Sequence, residues 1–167
     1  MRRRGPGWCA VRGVTQQQAA PLRDPAAYIE RVVMTAGRAI RGAFDARFGP
    51  LELNMTEGAL LATIQRFGPL TQRELAELLY VGRAAAGQFV DRLEARGLVQ
   101  READPSDRRV WLVSSTTEGQ PVAEQAFDIW FKTAADLREG LTDAEADRLI
   151  KLILAVQSNA EDIAAAP

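Results

Sequence analysis

Ala103-Asp104-Pro105-Ser106-Asp107-Arg108-Arg109 decides the reading of this chain. Its flanks, Gly97–Glu102 and Val110–Val113, are short β-prone runs. The middle is turn chemistry that ends in two arginines. This pattern predicts a strand, a polar tip carrying paired guanidinium groups, and a returning strand. Such a tip is suited to phosphate, because guanidinium forks match its oxygens.

Upstream of the hairpin, Thr71-Gln72-Arg73-Glu74 has capping-box spacing, with a hydroxyl to cap and a carboxylate to reach back. The short helix it opens is expected to bury Leu75, Leu78 and Leu79. Tyr80-Val81-Gly82 then turns the chain into a helix from Arg83 to about Arg96. That helix buries Ala86, Phe89, Val90 and Leu93 and stops at Gly97, a residue suited to a helix C-terminus. Two helices joined by so short a turn form a helix-turn-helix.

Further out, Asp24-Pro25 reads as a cap followed by proline in the first turn. The spacing of Ile29, Val33, Ala36, Ile40, Phe44 and Phe48 predicts a helix closed by Gly49-Pro50. Thr56 is expected to cap a second helix, with Leu60, Leu61 and Ile64 as its core, broken at Gly68-Pro69. Beyond the hairpin, Thr116 or Thr117 is expected to start a long helix striped with Val122, Ala126, Ile129, Trp130, Thr133 and Leu137, and widened by Phe127 and Phe131. Gly140 stops it. Thr142-Asp143-Ala144-Glu145 is another capping box, opening a last helix with Leu149, Ile150, Ile153, Leu154 and Val156. Residues 1–23, with scattered glycines, Pro21 and three successive glutamines, read as an irregular basic arm. The fold class is therefore mainly α with a small β-hairpin wing. The expected division is an arm at 1–23, helical dimerisation regions at 24–50 and 116–167, and a winged helix-turn-helix head at 51–115.

Bulk composition narrows the chemistry. The chain has 167 residues, 47% hydrophobic and 26% charged, which is ample for one core. No apolar run reaches the roughly 18 residues of a membrane span, and Met1-Arg2-Arg3-Arg4 is not followed by the apolar stretch of a secretory signal. There is one cysteine, Cys9, and no histidine. Intrachain disulfides, common zinc sites and Ser-His or Cys-His catalysis are thereby excluded, and a cytoplasmic location is expected. Carboxylates fall mainly on the solvent faces of amphipathic helices, so an enzyme is not expected and no cofactor is implied. The formal net charge is −1, which alone argues against a nucleic-acid binder. Its distribution matters more: arginines crowd the first 48 residues, acids crowd the last third, and phosphate contacts are local at physiological salt.

In a helix-turn-helix the second helix enters the major groove by its N-terminal end. Here that end is Arg83-Ala84-Ala85-Ala86-Gly87-Gln88. Arg83 can grip guanine bidentately and Gln88 can pair with adenine, while Ala84 and Ala85 can touch thymine methyls. Gly87 inside a helix costs about 1 kcal/mol relative to alanine. Either close helix packing or close approach to DNA accounts for it. Alternation along a strand places Arg108 and Arg109 on opposite faces. One is therefore expected to reach a minor groove or phosphate, and the other to pair with Asp107 or Asp104 and fix the tip.

Leu93-Glu94-Ala95-Arg96-Gly97-Leu98-Val99, Asp104–Arg109 and Thr116-Thr117-Glu118-Gly119 resemble the winged helix-turn-helix signature of MarR-type transcriptional regulators. The resemblance runs from about residue 25 onward, and 71–119 is its specific part. It implies a homodimer with interleaved terminal helices. It further implies recognition helices in successive major grooves of a pseudo-palindromic operator in double-stranded DNA, wing arginines in minor grooves, and repression relieved by a small aromatic or anionic effector. By position, Arg83, Ala84, Ala85 and Gln88 would face bases. Thr71, Gln72 and Arg92 would face phosphate, and Asp107 with Arg108 or Arg109 would form the wing tip. The ligand cleft would draw on Arg41, Phe44, Phe48, Leu61 and Trp130, although aromatics at helical spacing also suit a core. Three positions depart from the pattern: Gly82, often a capping serine or threonine; Glu102, often basic; and Ser115, often leucine. Cys9 beside Trp8 raises peroxide sensing as a further reading, with Arg12 available to lower its pKa. The competing function is a winged-helix protein-interaction module without specific DNA binding.

Overall fold

The computed structural model describes residues 29–166. Among these residues, six α-helices and a three-stranded antiparallel sheet follow the order α1 (Ile29–Phe48), α2 (Met55–Phe67), β1 (Leu70–Thr71), α3 (Gln72–Leu78), α4 (Arg83–Ala95), β2 (Val99–Ala103), β3 (Trp111–Ser115), α5 (Gln120–Leu137) and α6 (Asp143–Ala165). The expected arm, its Cys9 and the Asp24-Pro25 cap lie outside the described residues.

α1 passes through a short 3-10 turn, Gly49–Leu51. α2 is then capped by Asn54 rather than Thr56. The Asn54 carboxamide oxygen accepts from the amides of Thr56 and Glu57, and the Asn54 amide donates to the Glu57 carboxylate. Thr56 lies inside the first turn, because Asn54-x-x-Glu57 satisfies two orphan donors reciprocally. Gly68, at φ 81, ends α2.

The core lies where α2 meets α5, α4 and the sheet. Leu60, Leu61, Leu75, Val90, Leu93, Val99 and Val113 are all buried there, with Phe44 and Phe48 from α1. The Phe48 ring lies against Gly58, where a Cβ would sit 2.4 Å from the ring, so only glycine admits the aromatic there. Arg47 donates to Thr133 Oγ1 at 3.1 Å and to Asp136 at 2.5 Å, joining α1 to α5.

Sheet order is β1-β3-β2. β3 pairs with β2 through Val99↔Ser115, Arg101↔Val113 and Ala103↔Trp111, and with β1 through Leu70↔Val113. The two-residue β1 was not foreseen, because Leu70-Thr71 is too short to show a period. α5 begins at Gln120, not at Thr116 or Thr117. The Thr116 hydroxyl donates to Gly97 O at 2.6 Å and accepts from Gly119 N at 2.9 Å, closing a turn first. α6 opens on the expected Thr142–Glu145 capping box and buries none of its residues.

Candidate DNA interface and adjoining groove

The helix pair is built from its caps inward. The Thr71 hydroxyl accepts from the Glu74 amide, and Glu74 accepts from Thr71 N at 2.8 Å and from the hydroxyl at 2.7 Å. These bonds hold the Glu74 carboxyl below its ordinary pKa, the hydroxyl contributing most. Leu75 and Ala76 are buried, but Leu78, expected in the core, is exposed. It sits at the end of α3, where the chain is already leaving for the turn. Tyr80 adopts φ 52 there, a left-handed conformation unusual for a bulky residue. Gly82 caps α4 without a side-chain bond.

On α4, Ala86, Val90 and Leu93 face the core. Arg83, Ala84 and Gln88 are exposed and Ala85 is half-buried, so the expected base-reading residues share the outer N-terminal face. Gly87 lies against the end of the Gln72 side chain of α3. A Cβ there would stand 2.8 Å from the Gln72 amide nitrogen, which donates to Arg83 O at 3.2 Å. Three residues expected at phosphate are thus engaged within the head. Thr71 closes its capping box, Gln72 braces the start of α4, and Arg92 donates to the buried Glu57 at 2.8 Å while lying 4.6 Å from the Phe89 ring centroid.

The hairpin tip differs from the expectation in a useful way. Arg108 and Arg109 lie in the turn and not in a strand, so strand alternation does not divide their roles. Nor does either side chain pair with Asp104 or Asp107. Asp104 accepts from Ser106 N at 2.7 Å and Ser106 Oγ at 2.6 Å, and Asp107 accepts from Arg109 N at 3.0 Å. The Ser106 hydroxyl and amide hold the Asp104 carboxyl below its usual value. Carboxylates capping backbone amides form this tip, as Asx turns do. Among the described residues, neither arginine has an ion-pair partner, and both are exposed.

One side chain joins the wing to α4. Arg101 of β2 donates to Asp91 at 2.6 Å and also pairs with Glu94, both on α4. Trp111, read from sequence as part of a β-prone flank, is 58% exposed.

A groove of about 500 Å³ lies beside the turn between α3 and α4. Arg41 and Trp130 line it, whereas Phe44, Phe48 and Leu61 are core residues outside its wall. Trp130 packs 4.4 Å from Phe44, so the aromatic pair spans core and groove. Sequence reasoning missed Arg66, Phe67 and Phe131, which also line the groove. The Arg66 guanidinium carbon lies 5.3 Å from the Phe67 ring centroid and 5.4 Å from that of Phe131. The adjacency of Arg66 and Phe67 at a helix end was the available signal. Leu78, Leu79, Tyr80 and Val81 also line it, so the groove shares residues with the turn that launches α4.

The MarR family model matches residues 53–111, the span from the start of α2 to the wing. Among solved structures, a probable transcriptional regulator from Pseudomonas aeruginosa is 27% identical, with 80% of this chain and 99% of that one covered at TM-score 0.66. A mutant MarR from E. coli complexed with operator DNA is 26% identical, with coverage of 81% and 97% and TM-score 0.66. CouR from Rhodococcus jostii, bound to p-coumaroyl-CoA, is 24% identical, with coverage of 80% and 94%, and shares the fold at TM-score 0.70.

Proposed function

We propose, on the premise that the chain belongs to the MarR family of winged-helix transcriptional regulators, that it acts as a homodimeric repressor released by a small effector. One observation carries the DNA-reading half. Arg83, Ala84 and Gln88 are exposed at the start of α4, and the neighbouring wing ends in two arginines without internal ion pairs. Arg83 and Gln88 read base edges with Ala84 and Ala85 beside them, and Arg108 and Arg109 meet phosphate and the minor groove. Thr71, Gln72 and Arg92 act mainly by positioning α4, and Asp107 by shaping the tip. The E. coli relative complexed with operator DNA supports this reading.

Dimerisation is supported by α6, where Leu149, Ile150, Leu152, Ile153 and Leu154 are all exposed. So long an apolar stretch open to water favours a protein interface, and a twofold axis would pair two recognition helices with a pseudo-palindrome. The groove supports effector control. Arg41 lines the groove together with Arg66, whose guanidinium lies over the Phe67 and Phe131 rings, and this pairing of cations with aromatics suits a small aromatic carboxylate. Its contact with Leu78–Val81 gives an occupant leverage on the start of α4.

Selection of duplexes from a random library, followed by anisotropy titration at physiological salt, tests the reading. Arg83→Ala and Gln88→Ala should relax sequence preference, and Arg108→Ala or Arg109→Ala should weaken binding across all sequences. A protein that selects no sequence would refute it. Sedimentation across concentration tests the dimer.

A further inference from the structure

We propose that Trp111 is a DNA-contacting residue, packing its indole on the deoxyribose wall of the groove that the wing enters; the proposal rests on the DNA-reading function above. The register fixes its place. Trp111 stands opposite Ala103, a small and exposed neighbour. Successive side chains alternate across a strand, so Trp111 shares a face with Val113, and Arg101 lies opposite Val113 on that face. This face is turned to the recognition helix: Val113 is buried and Arg101 is bound to Asp91 and Glu94 of α4. Trp111 continues it outward, past the point where the core can cover a side chain. The β1 ladder stops at Thr71↔Leu112, so no third strand flanks it.

The indole therefore stands on the recognition-helix side of the wing, two residues from the unpaired Arg109. The fold leaves more than half of it exposed. Tryptophan combines an apolar body with a single N–H donor. A nucleic-acid backbone offers the matching chemistry, with apolar sugar faces set between phosphate acceptors. Arginines hold the phosphates on either side, and the indole covers the sugar between them. Such a contact is uncharged and releases no counterions. Trp111 therefore adds affinity that salt does not erode.

The test is an anisotropy titration of a library-selected duplex over a salt series, with the parent, Trp111→Ala, Trp111→Phe and Arg109→Ala. Trp111→Ala should bind about tenfold more weakly at every salt concentration, a change of about 1.4 kcal/mol, with an unchanged slope of log affinity against log salt. Trp111→Phe should recover much of that loss, whereas Arg109→Ala should reduce the slope by about 1. In a Trp8→Phe/Trp130→Phe background, Trp111 is the remaining indole of three. Its emission should shift when the duplex is added. A parent that selects sequence while Trp111→Ala binds equally well overturns this proposal alone, and points to a protein contact for the indole. An unmoved Trp111 emission at saturating duplex does the same. A parent without sequence preference overturns the DNA reading and this proposal together.

Discussion

Gly119→Ala should destabilise the protein strongly, although the local backbone argues the opposite. Gly119 has φ −78 and ψ −24, ordinary helical angles that alanine adopts freely. Backbone entropy alone would then predict a gain of about 0.4–1 kcal/mol. The added Cβ, however, would stand 1.9 Å from Leu98 O, 2.6 Å from its carbonyl carbon and 2.8 Å from its Cα. All three are backbone atoms, so no rotamer change relieves the overlap. The start of α5 must retreat by at least about 1.5 Å to reach ordinary van der Waals separation. Nearby, Thr116 N donates to Leu98 O at 3.2 Å and the Thr116 hydroxyl donates to Gly97 O at 2.6 Å. Overpacking costs about 1–3 kcal/mol, and each weakened hydrogen bond about 1 kcal/mol more. After the entropic gain, the net loss is about 2–4 kcal/mol, or roughly 5–15 °C in Tm for a domain of this size. Thermal and urea unfolding at one fixed protein concentration measure it. Gly87→Ala is the matched control: its Cβ meets only the end of the Gln72 side chain, which can swing away, so the loss should stay below about 1 kcal/mol. A neutral or stabilised Gly119→Ala would refute the reasoning, because it would mean that the α5 start yields freely.

Three further outcomes follow from the same head. Arg101→Gln should loosen the wing from α4 while costing only about 1 kcal/mol overall, because Asp91 is largely exposed and the pair is screened; faster amide exchange in β2 and β3 than in α2 would show it, and equal rates would reject the clamp. Gly82→Ser supplies the missing N-cap of α4, where nothing lies within 4 Å of the added Cβ, and should stabilise by a few tenths of a kcal/mol, visible as a higher urea midpoint. The lowered Asp104 carboxyl gives the wing tip a pH dependence of known sign: its contribution is fully present above the ordinary carboxylate value of 3.8 and is lost as pH falls through the still lower folded value. A carboxyl titration by NMR should find the Asp104 midpoint below that ordinary value, and Ser106→Ala should move it upward.

What could be read from the sequence depended on whether one local interaction dominated. Thr71-x-x-Glu74 and Thr142-x-x-Glu145 each spell a complete two-way cap, and both form as written. Asn54-x-x-Glu57 spells the same cap, but a threonine two residues later drew the assignment away from it. The apolar period of α4 was equally plain, since Ala86, Val90 and Leu93 all meet one core. The hairpin was legible as a hairpin, but the conformation of its tip was not. Whether Arg108 and Arg109 continue a strand or sit in the turn is decided by the amide-capping bonds of Asp104 and Asp107. Those bonds consume the carboxylates that sequence reasoning had assigned to the arginines. Periodicity likewise could not separate groove from core. Phe44 and Trp130 lie 4.4 Å apart at helical spacing, yet only Trp130 reaches the groove wall. Thr71, Gln72 and Arg92 show the same limit from the polar side. Each is a plausible phosphate ligand by type and position, but each has a partner within the head. Residue type indicates what a side chain can bind, and the folded head shows which partners it already holds. Of the polar residues expected at DNA, Arg83, Gln88, Arg108 and Arg109 are those whose side chains hold no hydrogen-bond or ion-pair partner among the described residues.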